Sequence, residues 1–211
     1  LGIEVKWDNK TKTVFLGKSS SGKTVSRNWS RTPVVVIDPG HGGKMSGAVY
    51  SGIMEKDLNL DIARRLNTLL REQGIETYMT RNDDRHVDLY DRSGLANSLN
   101  ADLFVSIHNN AGSSSMSGSM TLYYPGGSGF TSKTFAKVMQ EELVKNLGTK
   151  DLGIIPRPNL AVLRTTKMPA VLVEVAFMTN SSDMQKLKTS DFRQAAAEAI
   201  RDGIIKALNS K

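Results

Sequence analysis

The stretch Val34-Val-Val-Ile-Asp-Pro-Gly-His-Gly-Gly43 decides the fold of this chain, because four apolar residues lead into a polar, glycine-rich turn. Two later runs have the same character, Leu103-Phe-Val-Ser-Ile-His108 and Ala170-Val-Leu-Val-Glu-Val-Ala-Phe177. Short apolar runs bounded by turn residues are typical of buried strands in an α/β sheet. Segments with helical spacing of apolar residues lie between them. The alternation predicts an α/β fold with a mostly parallel, twisted sheet flanked by helices on both faces.

The same patterns place the individual elements. Strands are expected over 34–38, 75–80, 103–107, 120–124 and 170–175. Helices are expected over 58–74, 88–99, 135–148 and 191–208, where apolar residues recur every three or four positions. Gly74 and Gly148 follow two of these helices, and glycine is the residue that most often ends a helix.

Residues 1–32 differ from the rest of the chain. Ile3, Val5 and Trp7 alternate with polar residues, and after a turn at 8–10 the alternation resumes, which predicts a β-hairpin. Residues 17–33 are rich in Ser, Gly and Lys and are typical of a linker. We therefore expect two parts: 1–32, a hairpin and linker that are the stump of an anchoring module, and 33–211, the main domain. The chain begins with Leu and no apolar leader, so we expect a processed or excised fragment whose signal peptide lies outside it.

Composition narrows the classes of function. A chain of 211 residues with 39% hydrophobic content suits one main domain with a full core. No apolar run approaches the ~18 residues of a membrane span. The chain has no cysteine, which excludes disulfides, thiolate metal sites and cysteine nucleophiles. The net charge of +7 favours anionic partners, but the cations are spread out and aromatic residues are only 6%, which argues against nucleic acid.

Two of the three histidines follow strands of the expected sheet. His41 and His108 would meet at the carboxyl edge, where ligands of α/β sheets collect. Each alone is more often a hydrogen-bonded structural residue, but a catalytic zinc site takes three His or carboxylate ligands and leaves a position for water. Glu55 comes after the glycine-rich turn and is the candidate third ligand. An acid there also suits the first turn of a helix, so its assignment depends on the two histidines.

Glu174 lies in the middle of an apolar run, between Val173 and Val175. A carboxylate in such a place is costly unless it is paired, protonated or close to a metal. We favour the last reading, in which Glu174 is a general base or acid beside the metal. The alternative is a structural ion pair with Arg164 or Lys167.

Three other polar residues lie near these motifs. His86 lies in a charged segment and is expected at the surface. Arg81 and Arg92 either face a substrate or hold their loop through Asp83 and Asp84.

A phosphate-binding loop is a rival motif, since Gly17-Lys-Ser-Ser-Ser-Gly-Lys-Thr24 fits G-x-x-x-x-G-K-[ST]. The context does not fit. Residues 25–32 show no apolar helical stripe, and only nine residues, 25–33, separate Thr24 from Val34. A parallel crossover needs about a dozen. We therefore reject nucleotide binding.

Several motifs together resemble a known family. They are Val36-Ile-Asp-Pro-Gly-His-Gly-Gly43, Glu55, Thr80-Arg-Asn-Asp-Asp84, Leu89-Tyr-Asp-Arg-Ser-Gly-Leu-Ala-Asn97, Ala101-Asp-Leu-Phe-Val-Ser-Ile-His108 and Met168-Pro-Ala-Val-Leu-Val-Glu-Val-Ala-Phe-Met-Thr-Asn180. In order and spacing they resemble the zinc-dependent N-acetylmuramoyl-L-alanine amidases of bacterial cell walls, over about 33–208.

The resemblance implies roles for individual residues. His41, Glu55 and His108 would bind one Zn²⁺ ion, and Glu174 would be essential for catalysis. The substrate would be peptidoglycan, cut between the lactyl group of N-acetylmuramic acid and L-alanine. Residues proposed to contact this substrate are Arg81, Arg92, Asn109 and Asn110.

The resemblance also implies a setting. We expect a secreted, wall-associated monomer with an autolytic, cell-separation or wall-remodelling role, attracted to anionic wall polymers by its positive charge. Some members carry a helix that occludes the zinc site, but here only a short Ser/Gly loop follows His108, so we expect no such helix. Two other functions stay open: a zinc peptidase that cuts within the stem peptide, and a wall-binding module without activity.

Overall fold

The structure is a computed structural model that describes residues 3–8, 13–18 and 29–210, the first two ranges as backbone. Its elements in chain order are β1 (Ile3–Asp8), β2 (Thr13–Lys18), β3 (Val34–Pro39), β4 (Val49–Tyr50), β5 (Ile53–Met54), α1 (Glu55–Glu72), β6 (Glu76–Met79), α2 (Leu89–Ser98), β7 (Leu103–Asn110), β8 (Ser119–Tyr123), α3 (Ser132–Leu147), β9 (Asp151–Pro156), α4 (Ala161–Arg164), β10 (Ala170–Phe177), α5 (Ser181–Lys188) and α6 (Ser190–Leu208).

Strands β1 and β2 pair in antiparallel fashion, with Ile3 opposite Lys18 and Trp7 opposite Val14. This confirms the predicted hairpin at the level of the backbone. Residues 9–12, which include most of the turn predicted at 8–10, and residues 19–28 of the predicted linker lie outside the described residues, as does most of the rejected phosphate-loop motif.

Six strands form the central sheet, in the order β6-β3-β7-β10-β8-β9. The pairs β3–β6, β3–β7, β7–β10 and β8–β9 are parallel, and β8 runs antiparallel to β10. The predicted mostly parallel sheet is therefore confirmed, with one antiparallel junction. Because β3, β7 and β10 run in the same direction, their carboxyl ends meet at one edge.

Helices cover both faces of the sheet, and the strands alternate between two cores. Val35 and Ile37 pack in the core shared with α1, α3 and α6, whereas Val36 packs in the core that includes residues of α2 and α4. Such alternation follows from the two-residue period of a strand. It places Asp38, in step with Val36, on the α2/α4 face.

Four parts of the fold were not predicted: the β4–β5 pair, β9, α4 and α5. β9 is half exposed along most of its length and carries a register shift, with Gly153 at a φ of 76°, so no clean alternation marks it. β4, β5 and α4 are too short for any periodicity to be recognised.

Two expected absences can be compared with the structure. Between His108 and Ser132, all within the described residues, the chain forms β7, a loop, β8 and a second loop, with no helix. Across the described ranges, no helix combines the length and apolar character that crossing a membrane requires.

Candidate metal centre

Three side chains from separate elements converge at the carboxyl edge of the sheet. His41 lies just after β3, Glu55 is the first residue of α1, and His108 lies near the end of β7. His41 Nε2 is 3.1 Å from Glu55 Oε2, and His108 Nδ1 is 2.8 Å from Glu55 Oε1. One donor atom from each residue lies within 4.8 Å of the others, an arrangement that can hold a metal ion. The sequence prediction thus named the residues that the fold brings together.

Glycines let these side chains approach. A Cβ atom on Gly40 would lie 2.2 Å from His108 Nε2, and one on Gly47 would lie 2.5 Å from Glu55 Oε2. Gly47 has a φ of 66°, and His41 itself adopts a left-handed φ of 60°. A non-glycine residue in this region of φ is uncommon and often marks a functional site. The backbone at His41 and Gly47 therefore adopts left-handed φ angles where the three donors come together.

The electrostatics of the cluster favour positive charge. Burial alone would raise the pKa of Glu55, but hydrogen bonds from His108 and His41 hold it well below its usual range. Burial alone would lower the pKa of His108, yet the hydrogen bond to Glu55 and the charge of Glu174 raise it. Both directions mean that this pocket stabilises a cation, whether a proton or a metal ion.

A layer of amides lies behind Glu55. Asn59, one turn further along α1, donates from Nδ2 to Glu55 Oε1 at 3.3 Å and to the Gly40 carbonyl at 3.2 Å. Its own Oδ1 accepts from Asn109 Nδ2 at 2.9 Å. The backbone NH of Asn109 also donates to Glu55 Oε1, at 3.3 Å. These buried amides fix the orientation of the carboxylate.

The predicted substrate contact of Asn109 is therefore corrected, since its side chain is 1% exposed and turned toward Asn59. Asn110 differs. It is half-buried, and its Nδ2 lies 3.6 Å from Met120 Sδ. Met120 is the β8 residue opposite Glu174, so Asn110 stays a candidate for substrate contact.

The predicted substrate contact of Arg81 is corrected in the same way, because this side chain is 1% exposed. It donates from Nε to the Pro39 carbonyl at 3.0 Å, and from Nη2 to the carbonyls of Gly40 and Lys56, each at 2.9 Å. Its Nη1 donates to the Asp83 carbonyl at 3.0 Å. An arginine with four of its five donors used on the backbone positions a loop. Arg81 thus holds the turn between β3 and His41.

Arg92 holds that turn from the other side and is 3% exposed. Its Nη2 donates to the His41 carbonyl at 2.8 Å, and its Nη1 to Asp38 Oδ1 at 2.8 Å. Asp38 is also bonded by Thr80 Oγ1 at 2.6 Å and by Ser106 Oγ at 2.7 Å. The ionic groups are thus fully hydrogen-bonded, as a buried pair requires. The predicted substrate role of Arg92 gives way to a positioning role.

Glu174 lies beside His108 across the β7–β10 pair. Its carboxylate is partly buried, its Oε2 has no hydrogen-bond partner among the described residues, and no ion pair joins it to Arg164 or Lys167 there. Burial raises the pKa of Glu174 to about 7. The alternative role for Glu174, a structural ion pair with Arg164 or Lys167, is therefore not supported. A buried carboxylate with a free oxygen beside a cation-binding cluster is suited to proton transfer.

A cavity of about 370 Å³ opens beside the two histidines. Its lining includes His41, His108 and Arg92, and its apolar wall consists of Val87, Leu89, Leu160, Val162 and Leu172. His86 is exposed as predicted, bonded to Asp88 at 3.1 Å, but it also lies on this wall. A mostly apolar cavity with a few convergent polar groups is the usual form of a ligand site.

Sequence reasoning missed several residues that shape the site. Asn59 carried a usable signal, because it lies four positions after Glu55 and therefore on the same face of a helix. Gly40 and Gly47 were visible only as turn residues. Their specific partners depend on how distant segments pack.

Comparisons with known proteins show the family of the chain. The family model described as N-acetylmuramoyl-L-alanine amidase matches residues 35–206. The amidase LytC of Bacillus subtilis is 42% identical over 202 residues, which cover 93% of this chain and 40% of LytC, so the chain spans about two-fifths of that relative.

Solved structures with the same fold include an N-acetylmuramoyl-L-alanine amidase from Clostridium difficile 630, with 38% identity and a TM-score of 0.82 over 86% of this chain and 100% of the other. The catalytic domain of CwlV, an amidase from Bacillus (Paenibacillus) polymyxa, has 40% identity and a TM-score of 0.80 over 85% of this chain and 100% of the other. From the site, the family match and these structures together, the chain belongs to the N-acetylmuramoyl-L-alanine amidase family.

Proposed function

We propose that residues 33–211 form a Zn²⁺-dependent catalytic domain that hydrolyses the amide between the lactyl group of N-acetylmuramic acid and L-alanine in peptidoglycan. The observation that carries this proposal is the convergence of His41, Glu55 and His108 beside the unpartnered carboxylate of Glu174. Family membership supports the identity of the bond, which the geometry alone does not specify.

The donor set fits zinc. Two imidazole nitrogens and a carboxylate oxygen are a common ligand set of catalytic zinc, and bonds of about 2.0–2.2 Å place such ligand atoms a little over 3 Å apart. Here one donor atom of each residue lies within 4.8 Å of the others, and two hydrogen bonds to Glu55 hold the histidines in place, so small shifts would let all three donors reach one ion. The amides of Asn59 and Asn109 bond to Glu55, as outer partners of metal ligands usually do.

Each residue of the site has a separate role in the proposed reaction. A Zn²⁺ ion held by His41, Glu55 and His108 would supply a Lewis acid and would lower the pKa of the attacking water. Glu174 takes the proton from the attacking water and later returns one to the departing alanine amine. In the absence of the metal, burial raises the pKa of Glu174 to about 7, so its carboxyl group exchanges a proton more readily near neutral pH than an ordinary glutamate does. Arg81 and Arg92 keep His41 in its strained conformation throughout.

The setting follows from the substrate. Peptidoglycan lies outside the cytoplasmic membrane, so we place the enzyme there as a wall-associated autolysin or remodelling enzyme acting as a monomer. The net charge of +7 supports attraction to anionic wall polymers.

The direct test is Glu174→Ala. We expect the variant to retain about one zinc per chain by elemental analysis and to sediment with purified cell walls, but to lose hydrolysis by roughly 10²-fold or more. The matched control is Glu198→Ala, which removes a carboxylate from α6, in the helical layer on the far face of the sheet. Unchanged hydrolysis by Glu174→Ala would remove this residue from the mechanism.

A further inference from the structure

Asn110 carries a side-chain amide whose donor has no strong acceptor. The residue is half-buried at the end of β7, and its backbone carbonyl accepts from the Met178 NH at 2.7 Å, which holds it against the end of β10. Its Oδ1 accepts from the Ala111 NH at 2.8 Å. Among the described residues, Nδ2 contacts only the thioether sulfur of Met120, at 3.6 Å. Because a thioether is a weak acceptor, this amide can donate to a ligand.

The sheet register places the amide of Asn110 beside Glu174. β10 lies between β7 and β8 in the sheet, and His108, Glu174 and Met120 are level with one another across these three strands. Side chains two positions apart in a strand share a face, so Asn110 lies on the same face as His108, one step nearer the carboxyl edge. Since Asn110 and Met120 come from strands on either side of β10, their side chains meet over β10 next to Glu174.

The polar groups of Glu174 and Asn110 complement each other. Glu174 Oε2 is an acceptor with no hydrogen-bond partner among the described residues, and Asn110 Nδ2 is a donor with a weak partner. The attack of water on an amide carbonyl needs an acceptor for the proton of the water and a donor for the carbonyl oxygen. Both groups are carried by strands of the central sheet, next to the candidate metal ligand His108.

We infer that Asn110 donates from Nδ2 to the carbonyl oxygen of the lactyl amide that is cut, an inference that rests on the proposed function. When water adds to the carbonyl carbon and gives its proton to Glu174, negative charge develops on this oxygen. A donor directed at the oxygen stabilises the transition state more than the ground state. Asn110 is therefore a catalytic residue that raises kcat and contributes little to the binding of the uncleaved substrate.

Two substitutions of Asn110 separate its donor from the turn that the same side chain closes. Asn110→Ala removes both the donor and the acceptor of the Ala111 NH, whereas Asn110→Asp keeps an acceptor oxygen and has no N–H group. Alanine adds no charge, and aspartate can keep the turn. A loss of activity that both variants share is therefore due to the missing donor.

The substrate for this test is a soluble disaccharide–tripeptide fragment of peptidoglycan, cleaved by the zinc-loaded protein. We expect kcat to fall by about 10- to 100-fold in both variants, with KM within about threefold of the wild-type value. Both variants should retain about one zinc per chain by elemental analysis. The Glu174→Ala protein should bind the fragment without cleaving it, and adding Asn110→Ala to this protein should leave the Kd measured by calorimetry unchanged.

Asn146→Ala and Asn146→Asp are the matched controls, because Asn146 is exposed on α3, in the layer that packs on the other face of the sheet. They should leave kcat and KM unchanged. A wild-type kcat in either Asn110 variant would overturn the inference, because the turn or the added charge would then explain a loss in the other variant. A raised KM at unchanged kcat, or a loss of zinc, would also overturn it, and cleavage by the wild type would leave the proposed function intact. No cleavage of the lactyl amide by the wild type would overturn the proposed function and the inference together.

Discussion

At the residue scale, Glu174 is the feature that separates a catalytic site from a structural cluster. Its carboxyl group is kept partly buried and without a partner for Oε2, next to His108. An arrangement that only stabilised the fold would pair this group. Retaining an unpaired carboxylate therefore lowers the free energy of unfolding, as is usual for residues of an active site.

This cost can be measured in the zinc-free protein with Glu174→Gln. The folded-state pKa of about 7 lies above the ordinary value of 4.5, so Glu174 destabilises the fold as pH rises from 4.5 through 7. We expect the variant to unfold with about 3 kcal/mol more free energy than the wild type at pH 8, and with nearly the same free energy at pH 4.5. Urea denaturation in the presence of a chelator measures both. A difference that did not depend on pH would contradict the raised pKa.

Gly40 offers a second prediction at this scale. A Cβ atom there would meet the His108 ring at 2.2 Å, while the backbone of Gly40 is not in the left-handed region, so only the side-chain clash is introduced. Gly40→Ala should displace the ring and weaken zinc binding by about tenfold or more, measured by competition with a chelator.

Gly94→Ala is the matched control for this substitution. Gly94 lies in α2 with no atom within 4 Å of an added Cβ, so the variant should bind zinc normally and gain about 0.4–1 kcal/mol of stability. Normal zinc affinity in Gly40→Ala would mean that His108 is not held as described.

At the scale of elements, α1 delivers Glu55 to the site, and its position is held by ion pairs at the α1–α6 contact. Asp61 of α1 bonds to Arg65 at 3.0 Å and to Arg193 of α6. Partial burial alone would raise the pKa of Asp61, but the hydrogen bonds of these two arginines lower it. The folded-state pKa lies below the unfolded value, so this contribution is present above about pH 4 and is lost as pH falls further.

Asp61→Asn should therefore lower the free energy of unfolding at pH 7 by roughly 0.5–1 kcal/mol, a value kept small because the pair is partly solvated. The difference from the wild type should be smaller at pH 3 than at pH 7, because the contribution is lost as Asp61 becomes protonated. Chemical denaturation at both pH values measures it, and an undiminished difference at low pH would show that packing, not charge, is responsible.

The sequence predicted elements whose apolar period is uninterrupted, and these are the elements that carry the site. β3, β7, β10 and α1 are long enough for the pattern to be read, and their burial follows it. β9 was not predicted from the sequence because a register shift breaks its alternation of buried and exposed residues.

The limits of prediction within the site have a different cause. His41, Glu55, His108 and Glu174 were recognisable because their chemistry is unusual at strand ends, in a first helical turn or within an apolar run. For Arg81 and Arg92 the sequence left a substrate role and a loop-holding role open, because a long cation looks the same in sequence whether it faces solvent or backbone carbonyls. Only packing between distant segments shows that both guanidinium groups hold the turn before His41.

At the scale of the whole molecule, the fold brings the ends of three parallel strands and the start of one helix together at a single candidate site. The carboxyl ends of β3 and β7 and the start of α1 each supply one candidate ligand, and β10 supplies Glu174, the residue that we propose transfers the proton. The cavity beside them opens on the α2/α4 face, where Leu160, Val162 and Leu172 form the wall. Function at this scale depends on which bond of a polymer reaches that centre.

Mass spectrometry of peptidoglycan digested with the zinc-loaded protein tests this central claim most directly. We predict the release of intact stem peptides with a free N-terminal L-alanine, together with glycan strands that keep their lactyl groups, and neither product with Glu174→Ala. Fragments cut within the stem peptide would contradict the account and indicate a zinc peptidase, and peptidoglycan left uncut would indicate a wall-binding module without activity.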